Sequence, residues 1–308
     1  MTAARLVPWG VGLALCLTAA PVSAQHPHGP PPGGPPGLTK THGGQGKGGS
    51  SSGDTSGGGT GGATSRVRSL GVWLDDATLM APGEAWLTLS MQRWSSPTGT
   101  GVDAPIADLA AGVGPHAQLF LSLPYSRITY TDTPAEGEVG TTYLGAKIGL
   151  RAPQSGSFGV SVTPTVEILS QSATVGTGLS RVNLVLPASV EWRQGATRVY
   201  GSGGYFTRGA VFVGGAVEQT VADRWVVTGA LTQAWSTDSQ ALSDSIGLRS
   251  NRTDVSGSVS WVTPHAMVFG SAAHTLSTLD ADATRYSFTI GVSINLNIPG
   301  RRTPIAKP

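Results

Sequence analysis

Between residues 286 and 298 apolar and small polar side chains alternate with a period of two. Phe288, Ile290, Val292, Ile294 and Leu296 fall on one side; Ser287, Thr289, Gly291, Ser293 and Asn295 fall on the other. Successive side chains of a strand point to opposite faces, so this is a ribbon with one greasy and one moist side. Similar stretches recur from about Glu84 onward. About twelve strands are expected, at 84–95, 104–113, 117–127, 139–151, 157–169, 180–193, 197–206, 209–219, 224–236, 250–262, 266–275 and 284–297. Most approach the 9–11 residues that a tilted strand needs to cross a bilayer.

The connections fall into two sets. Gly114-Pro115-His116, residues 153–156, Gln194-Gly195-Ala196, Ala222-Asp223 and Thr263-Pro264-His265 are tight. Residues 95–103, 131–138, 170–179, 236–249 and 276–283 are longer and polar. Short turns at one end and long loops at the other characterise bacterial outer-membrane barrels. Thr207-Arg208-Gly209 is the exception, a short connection on the long-loop side. An even strand number leaves both termini in the periplasm.

Alternation alone suits a soluble sandwich equally well, since both hide one face. Charge and aromatic placement separate them. Only 12% of residues are charged, against about 25% in soluble domains, and Lys147 is the only lysine between Gly48 and Ala306. Phe158, Trp192, Trp225 and Trp261 lie beside short turns, in phase with the apolar sets of their strands. Tyr125, Tyr205, Trp235 and Tyr286 occupy the opposite rim in the same phase. Two such rings form the girdle of a transmembrane barrel. Arg93 and Arg127 also continue outward sets, but at the long-loop end, where lipid phosphate or water can solvate them.

The fold class expected is therefore all-β, an antiparallel transmembrane β-barrel of about 12 strands over residues 84–298. Ahead of it, residues 1–24 read as a signal peptide: Arg5, an apolar run too short to span a bilayer, and Val22-Ser23-Ala24 as the cleavage site. The only cysteine, Cys16, falls within it, after Leu15 rather than the small residue a lipoprotein signal requires. Residues 25–65 are a Gly/Pro/Ser-rich spacer that buries too little to order itself. Residues 66–83 form a transition segment in which Leu70, Val72 and Leu74 suggest a short strand tucked into the barrel mouth as a plug. Asp75, Asp76 and Ala81-Pro82-Gly83 end it. Residues 299–308 are a basic tail.

The inward set is small and mildly polar, including Thr88, Gln118, Ser122, Gly145, Ser161, Thr165, Ser202, Gly214, Thr228, Thr232, Ser258 and Ser260. Such residues leave a lumen of this size unfilled, so a passage or ligand cavity is expected. Lumen-facing charges are assigned to Asp108, Lys147, Arg151, Glu167, Arg181, Glu191, Arg198 and Glu218. Four acids and four bases argue against a selective ring and for pairing across the lumen or bracing of the wall.

No catalytic, cofactor or metal site is assigned. Gly49-Ser50-Ser51-Ser52-Gly53 matches a nucleophile elbow but lacks the flanking strand and helix. His26, His28 and His42 sit on the spacer, where solvation outweighs metal binding. His274 with Ser271 could imitate an outer-membrane lipase only if both shared a face, and Met267, Val268 and Phe269 leave that phase open. No basic stripe suggests nucleic acid.

The run Gly112-Val113-Gly114-Pro115-His116-Ala117-Gln118-Leu119-Phe120-Leu121-Ser122-Leu123-Pro124-Tyr125 resembles the second hairpin of the phenol-degradation meta-pathway (MetA-like) outer-membrane β-barrel family. The ending Gly291-Val292-Ser293-Ile294-Asn295-Leu296 is similar too. That resemblance implies a channel for small apolar or aromatic compounds and no catalytic residues. The chain departs from many such barrels after Ile298, where Pro299-Gly300-Arg301-Arg302 replaces a terminal aromatic. A passive or facilitated pore in a Gram-negative outer membrane is expected. Its partners would be membrane lipid and lipopolysaccharide, a small-molecule permeant and the barrel-assembly machinery. The alternatives are a structural or adhesive barrel and a secreted soluble sandwich.

Overall fold

The computed structural model describes residues 74–95, 99–130, 136–153, 156–171, 180–207, 209–222, 224–236, 251–263, 265–276 and 285–296. The signal peptide, spacer, C-terminal tail and the longer loops lie outside these residues, as do residues 66–73. The strands are β1 (Ala85–Ser95), β2 (Gly99–Gly114), β3 (Ala117–Tyr130), β4 (Glu136–Val139), β5 (Thr142–Arg151), β6 (Phe158–Val162), β7 (Thr165–Ile168) and β8 (Val182–Gln194). They continue as β9 (Thr197–Phe206), β10 (Ala210–Thr220), β11 (Trp225–Ser236), β12 (Asn251–Val262), β13 (Ala266–Thr275) and β14 (Tyr286–Asn295).

These 14 segments make 12 staves. β4 pairs with the far end of β3 and β5 with its near end, so the two form one stave. β6 and β7 likewise form one stave between β5 and β8, interrupted at Thr163-Pro164. Proline has no N–H to offer the ladder, which explains the break. β1 pairs with β14 from Trp86↔Asn295 to Ser95↔Tyr286 and closes the ring antiparallel. A closed ring leaves no sheet edge, the condition for strands in hydrocarbon.

Two expected loops are shorter than their composition suggests. β2 begins at Gly99 rather than 104, and β4 at Glu136 rather than 139. The register slips between Asp103 and Ile106, beside Pro105. Beyond that slip Asp103 still stands opposite Gln92, and both are buried. Composition reads such a stretch as loop because Gly and Pro interrupt the apolar pattern. At the short-turn end the β8–β9 hairpin uses Gly195 at φ +58°, a left-handed position glycine adopts without steric cost. The exceptional connection at 207–209 is a tight turn, with the Gly209 N–H donating to the Phe206 carbonyl.

The faces are inverted relative to a soluble protein. Leu87-phase residues of β1 such as Leu89 and Met91, with Leu121, Leu123, Leu184, Leu186, Val190, Phe288 and Ile290, are exposed. Thr88, Ser90, Gln118, Ser122, Ser161, Thr165, Ser202, Thr228 and Ser260 are buried. Phe158 stands opposite Trp192, and Trp225 opposite Trp261, at the short-turn rim. Tyr125, Tyr205 and Tyr286 stand exposed near the other.

The interior is less uniformly small than the sequence suggests. Trp86, Trp94, Phe120, Tyr143, Tyr200, Phe206, Phe212 and Phe269 are all buried inward. Inward glycines accommodate some of them: a side chain at Gly145 would strike Phe120, and one at Gly291 would strike Phe269. In β13, Met267 and Phe269 point inward and Val268 outward, which settles the phase of His274.

Ile290 sits mid-strand on the outward face, paired with Met91 and Gly270. Ile290→Arg is expected to destabilise the protein in bilayers by about 2–4 kcal/mol, read by denaturant titration in vesicles. A cost near zero would be inconsistent with hydrocarbon on that face.

Candidate functional site

Residues 74–83 run along the inside of the wall near the short-turn end. Leu74 packs with Tyr200, Ala216 and Ala230 on β9–β11. Ala77 and Thr78 donate from backbone N–H and hydroxyl to Glu191 Oε2 on β8, at 3.1 and 2.7 Å. Leu79 lies against Gly149 on β5. The Met80 N–H donates to Gln118 Oε1 on β3, at 3.1 Å, and Gly83 N–H to the Gly112 carbonyl on β2, at 2.8 Å. The segment is thus a strap that follows half the circumference before turning into β1. It has no strand pairing: the expected short strand lies mostly at residues 70–73, outside the described residues, and Leu74 is irregular.

The strap fits because the wall is cut away beneath it. A Cβ at Gly112 would collide with the Ala81 carbonyl, and one at Gly149 with Leu79; at Gly214 it would strike Thr232 of the next strand and come within 3.3 Å of Leu74. These glycines serve close approach, not turns.

Charge holds the middle of the strap. Asp76 Oδ1 lies 2.6 Å from Lys147 Nζ, and its Oδ2 lies 2.7 Å from Arg198 Nη2. Asp75 Oδ1 is 3.3 Å from the same lysine, and its N–H donates to Ser202 Oγ at 3.1 Å. Arg198 also reaches Glu191 Oε1 at 2.9 Å and Glu218 Oε1 at 3.0 Å. Arg193 reaches Glu191 Oε1 at 2.9 Å and donates to Thr78 at 3.1 Å. Lys147, Arg198, Glu191 and Glu218 converge because β5, β8, β9 and β10 each present an inward residue close to the short turns.

Of the eight lumen-facing assignments, those four join this cluster. Asp108 accepts from Ser122 Oγ, and Glu167 from the Tyr143 hydroxyl; both are buried in the interior elsewhere on the wall. The other two need correction. Arg151 is exposed, because the ladder slips between Gly149 and Arg151 and sets Arg151 opposite outward Val160. A one-residue slip moves a side chain to the other face. Arg181 is also exposed, in a bend one residue before β8. The balance of the remaining set is therefore four acids to two bases, not four to four.

Sequence reasoning missed Arg193, Asp75 and Asp76 as partners of this cluster. Two adjacent carboxylates just upstream of β1, in a chain so poor in charge, were the available signal. His274 is exposed on the outward face, its Nδ1 3.0 Å from the Arg285 carbonyl, while Ser271 belongs to the inward phase. The lipase-like pairing is therefore not assembled. A hollow of about 790 Å³ beside Leu89, Met91, Trp225, Trp261, Val268 and Ile290 lies mainly among outward side chains.

Fold and interior together define an outer-membrane type of β-barrel: closed, antiparallel, twelve-staved, greasy outside and polar within. No family profile and no curated protein matches the sequence. Among solved structures it is similar to the COG4313 outer membrane channel from Pseudomonas putida F1, with a TM-score of 0.56 and 10% identity over 71% of this chain and 98% of that one. It is also similar to the KdgM porin, with a TM-score of 0.47 and 8% identity over 67% of this chain and 98% of that one.

Burial pushes the Asp76 carboxyl up, but the charges of Lys147 and Arg198 and the hydrogen bonds they donate outweigh it and hold it at about 2. A carboxyl depressed on folding contributes stability that is complete above its unfolded value near 4 and lost as pH falls through the folded value. Hydrogen exchange at residues 77–80, corrected for intrinsic rates, should therefore be flat from pH 8 to about 5. It should accelerate only on descent from about 4 towards 2. Asp76→Asn leaves Lys147 with Asp75 alone and takes one of three carboxylates from Arg198; losing those charged hydrogen bonds costs about 1.5–3 kcal/mol and should accelerate exchange at neutral pH. Unchanged protection in the variant would show that the ion pairs do not hold the strap.

Proposed function

We propose that this protein is a passive or facilitated channel in the outer membrane of a Gram-negative bacterium, narrowed at its periplasmic mouth by the 74–83 strap. The observation that carries this reading is the polarity of the interior. Hydroxyls, amides and the Lys147–Asp76–Arg198–Glu191 network line it, whereas the outward face is apolar. A barrel with no need to admit water or solute could have filled that space with packed apolar side chains, at less desolvation cost than buried ions. Placing the short turns and both termini in the periplasm follows the even number of staves and the usual asymmetry of loop lengths.

The permeant class we infer is small apolar or aromatic molecules. The MetA-like resemblance of residues 112–125 and 291–296 supports this. The likeness to the Pseudomonas putida F1 channel agrees with a transport role but does not identify a solute.

A second reading is a structural or adhesive barrel whose outer loops are the working surface. The strap and the inward aromatics favour it, because together they occupy much of the interior at the short-turn end. Planar-bilayer recording separates the two. If the strap narrows a channel, Asp75→Asn/Asp76→Asn should raise single-channel conductance at least twofold over the wild type. Silence from both wild type and variant, with heat-modifiable gel mobility confirming folded barrels, would favour the structural reading.

A further inference from the structure

The outward face carries a charge asymmetry of its own. Among residues with described side chains, Asp76, Glu84, Asp103, Asp108, Glu167, Glu191, Glu218 and Asp254 are buried. Glu138 stands opposite buried Ser126, in the inward phase. Asp75 pairs with Lys147 inside the barrel, so no described carboxylate side chain shares the membrane-facing surface, whereas Arg93 and Arg127 are exposed on it at the long-loop rim and Arg285 is exposed just ahead of β14.

Register brings these three together. Arg93 on β1 and Arg127 on β3 both stand opposite Val102 on β2. They are thus two strand spacings apart, about 10 Å. The Arg285 N–H donates to the Ser95 carbonyl at 2.6 Å; it lies three residues before Phe288, the partner of Arg93 on the neighbouring strand, so the two backbones are about 11 Å apart. The third arginine has a built setting. Its guanidinium carbon lies 5.4 Å from the centre of the Tyr286 ring, and His274 stacks on that ring at 5.4 Å and 16°. The His274 ring nitrogen meets the Arg285 carbonyl at 3.0 Å. Immediately below, towards the middle of the barrel, Met91, Leu123, Phe288 and Ile290 are exposed.

We propose that this rim is a binding site for a phosphorylated membrane lipid. Its phosphate is held among Arg93, Arg127 and Arg285, and its acyl chains lie along Met91, Leu123, Phe288 and Ile290. Guanidinium forks match phosphate oxygens in pairs, and all three cations are arginines rather than lysines. An anion held just above an apolar strip is the shape of a lipid headgroup and its tails. Among the described side chains, no carboxylate stands on that face to repel it. The apolar strip selects a lipid over free phosphate.

The test uses the full-length mature protein in detergent, with native mass spectrometry or a fluorescent-lipid titration. The probes are bisphosphorylated lipid A and the same lipid enzymatically dephosphorylated. Arg93→Gln/Arg127→Gln/Arg285→Gln should weaken lipid A binding at least tenfold. Arg151→Gln/Arg224→Gln, at the opposite rim, should leave it within twofold. Heat-modifiable mobility verifies that each variant is a folded barrel; if the triple variant is not, Arg285→Gln alone should weaken binding at least threefold. Equal binding by the folded triple variant, equal affinity for dephosphorylated lipid, or full displacement by an equimolar concentration of inorganic phosphate would each overturn the site. Conductance plays no part in the readout, so the result stands independently of whether the barrel is a channel.

Discussion

A strand in hydrocarbon finds no water for its backbone, and each N–H or C=O left unpaired there costs several kcal/mol. The β1–β14 ladder is therefore the interaction on which the structure depends. It runs from Trp86↔Asn295 to Ser95↔Tyr286 without a slip. Closure forces alternate side chains to opposite sides of a continuous wall, and the sequence fills those sides in reverse of the soluble order. Leu, Val, Ile and Phe face out, with tyrosine and tryptophan at the rims. The hydroxyls and the described carboxylates of the wall turn inward with Lys147 and Arg198, while Arg93 and Arg127 stay outside.

Turning charge inward creates a demand that the wall alone meets poorly. Arg198 finds Glu191 and Glu218 on its neighbours, but Lys147 takes its carboxylates from Asp75 and Asp76 of the strap. A buried lysine without a counter-charge is strongly destabilising. The strap is thus integral to the barrel's electrostatics rather than an appendage lodged in it. Gly112, Gly149 and Gly214 complete the arrangement by leaving room for Ala81, Leu79 and Leu74.

Period-two patterning made the wall legible. Ten of the twelve staves are each a single strand whose alternation the sequence shows, and the outward aromatics mark the two rims directly. Failures arose where pairing, not pattern, decides a side chain's direction. Arg151 reads as inward by counting from Lys147, but the slip after Gly149 reverses it. Arg181 reads as the start of a strand and is instead the bend before one. The interior aromatics were passed over because Trp86 and Phe120 share strands with stronger leucine sets on the opposite phase. Of the strap, the sequence shows a segment tucked into the barrel mouth whose strand ends at Asp75 and Asp76, but not the ion pairs those carboxylates make. Their partners lie 71 and 122 residues away, a separation that only closure of the ring brings to contact.

The assignment of the two faces is tested most directly by spin labelling, which the sequence makes simple because its one cysteine, Cys16, precedes the barrel. Single cysteines would be placed at Val160, Leu186 and Ile290 on one face and at Ser202, Thr232 and Ser258 on the other, in protein reconstituted into vesicles. Labels on the first set should collide with dissolved oxygen and be shielded from a polar nickel reagent; those on the second should be shielded from oxygen. A first set shielded from both reagents, as in the dry centre of two packed sheets, would contradict a barrel whose outer face meets lipid.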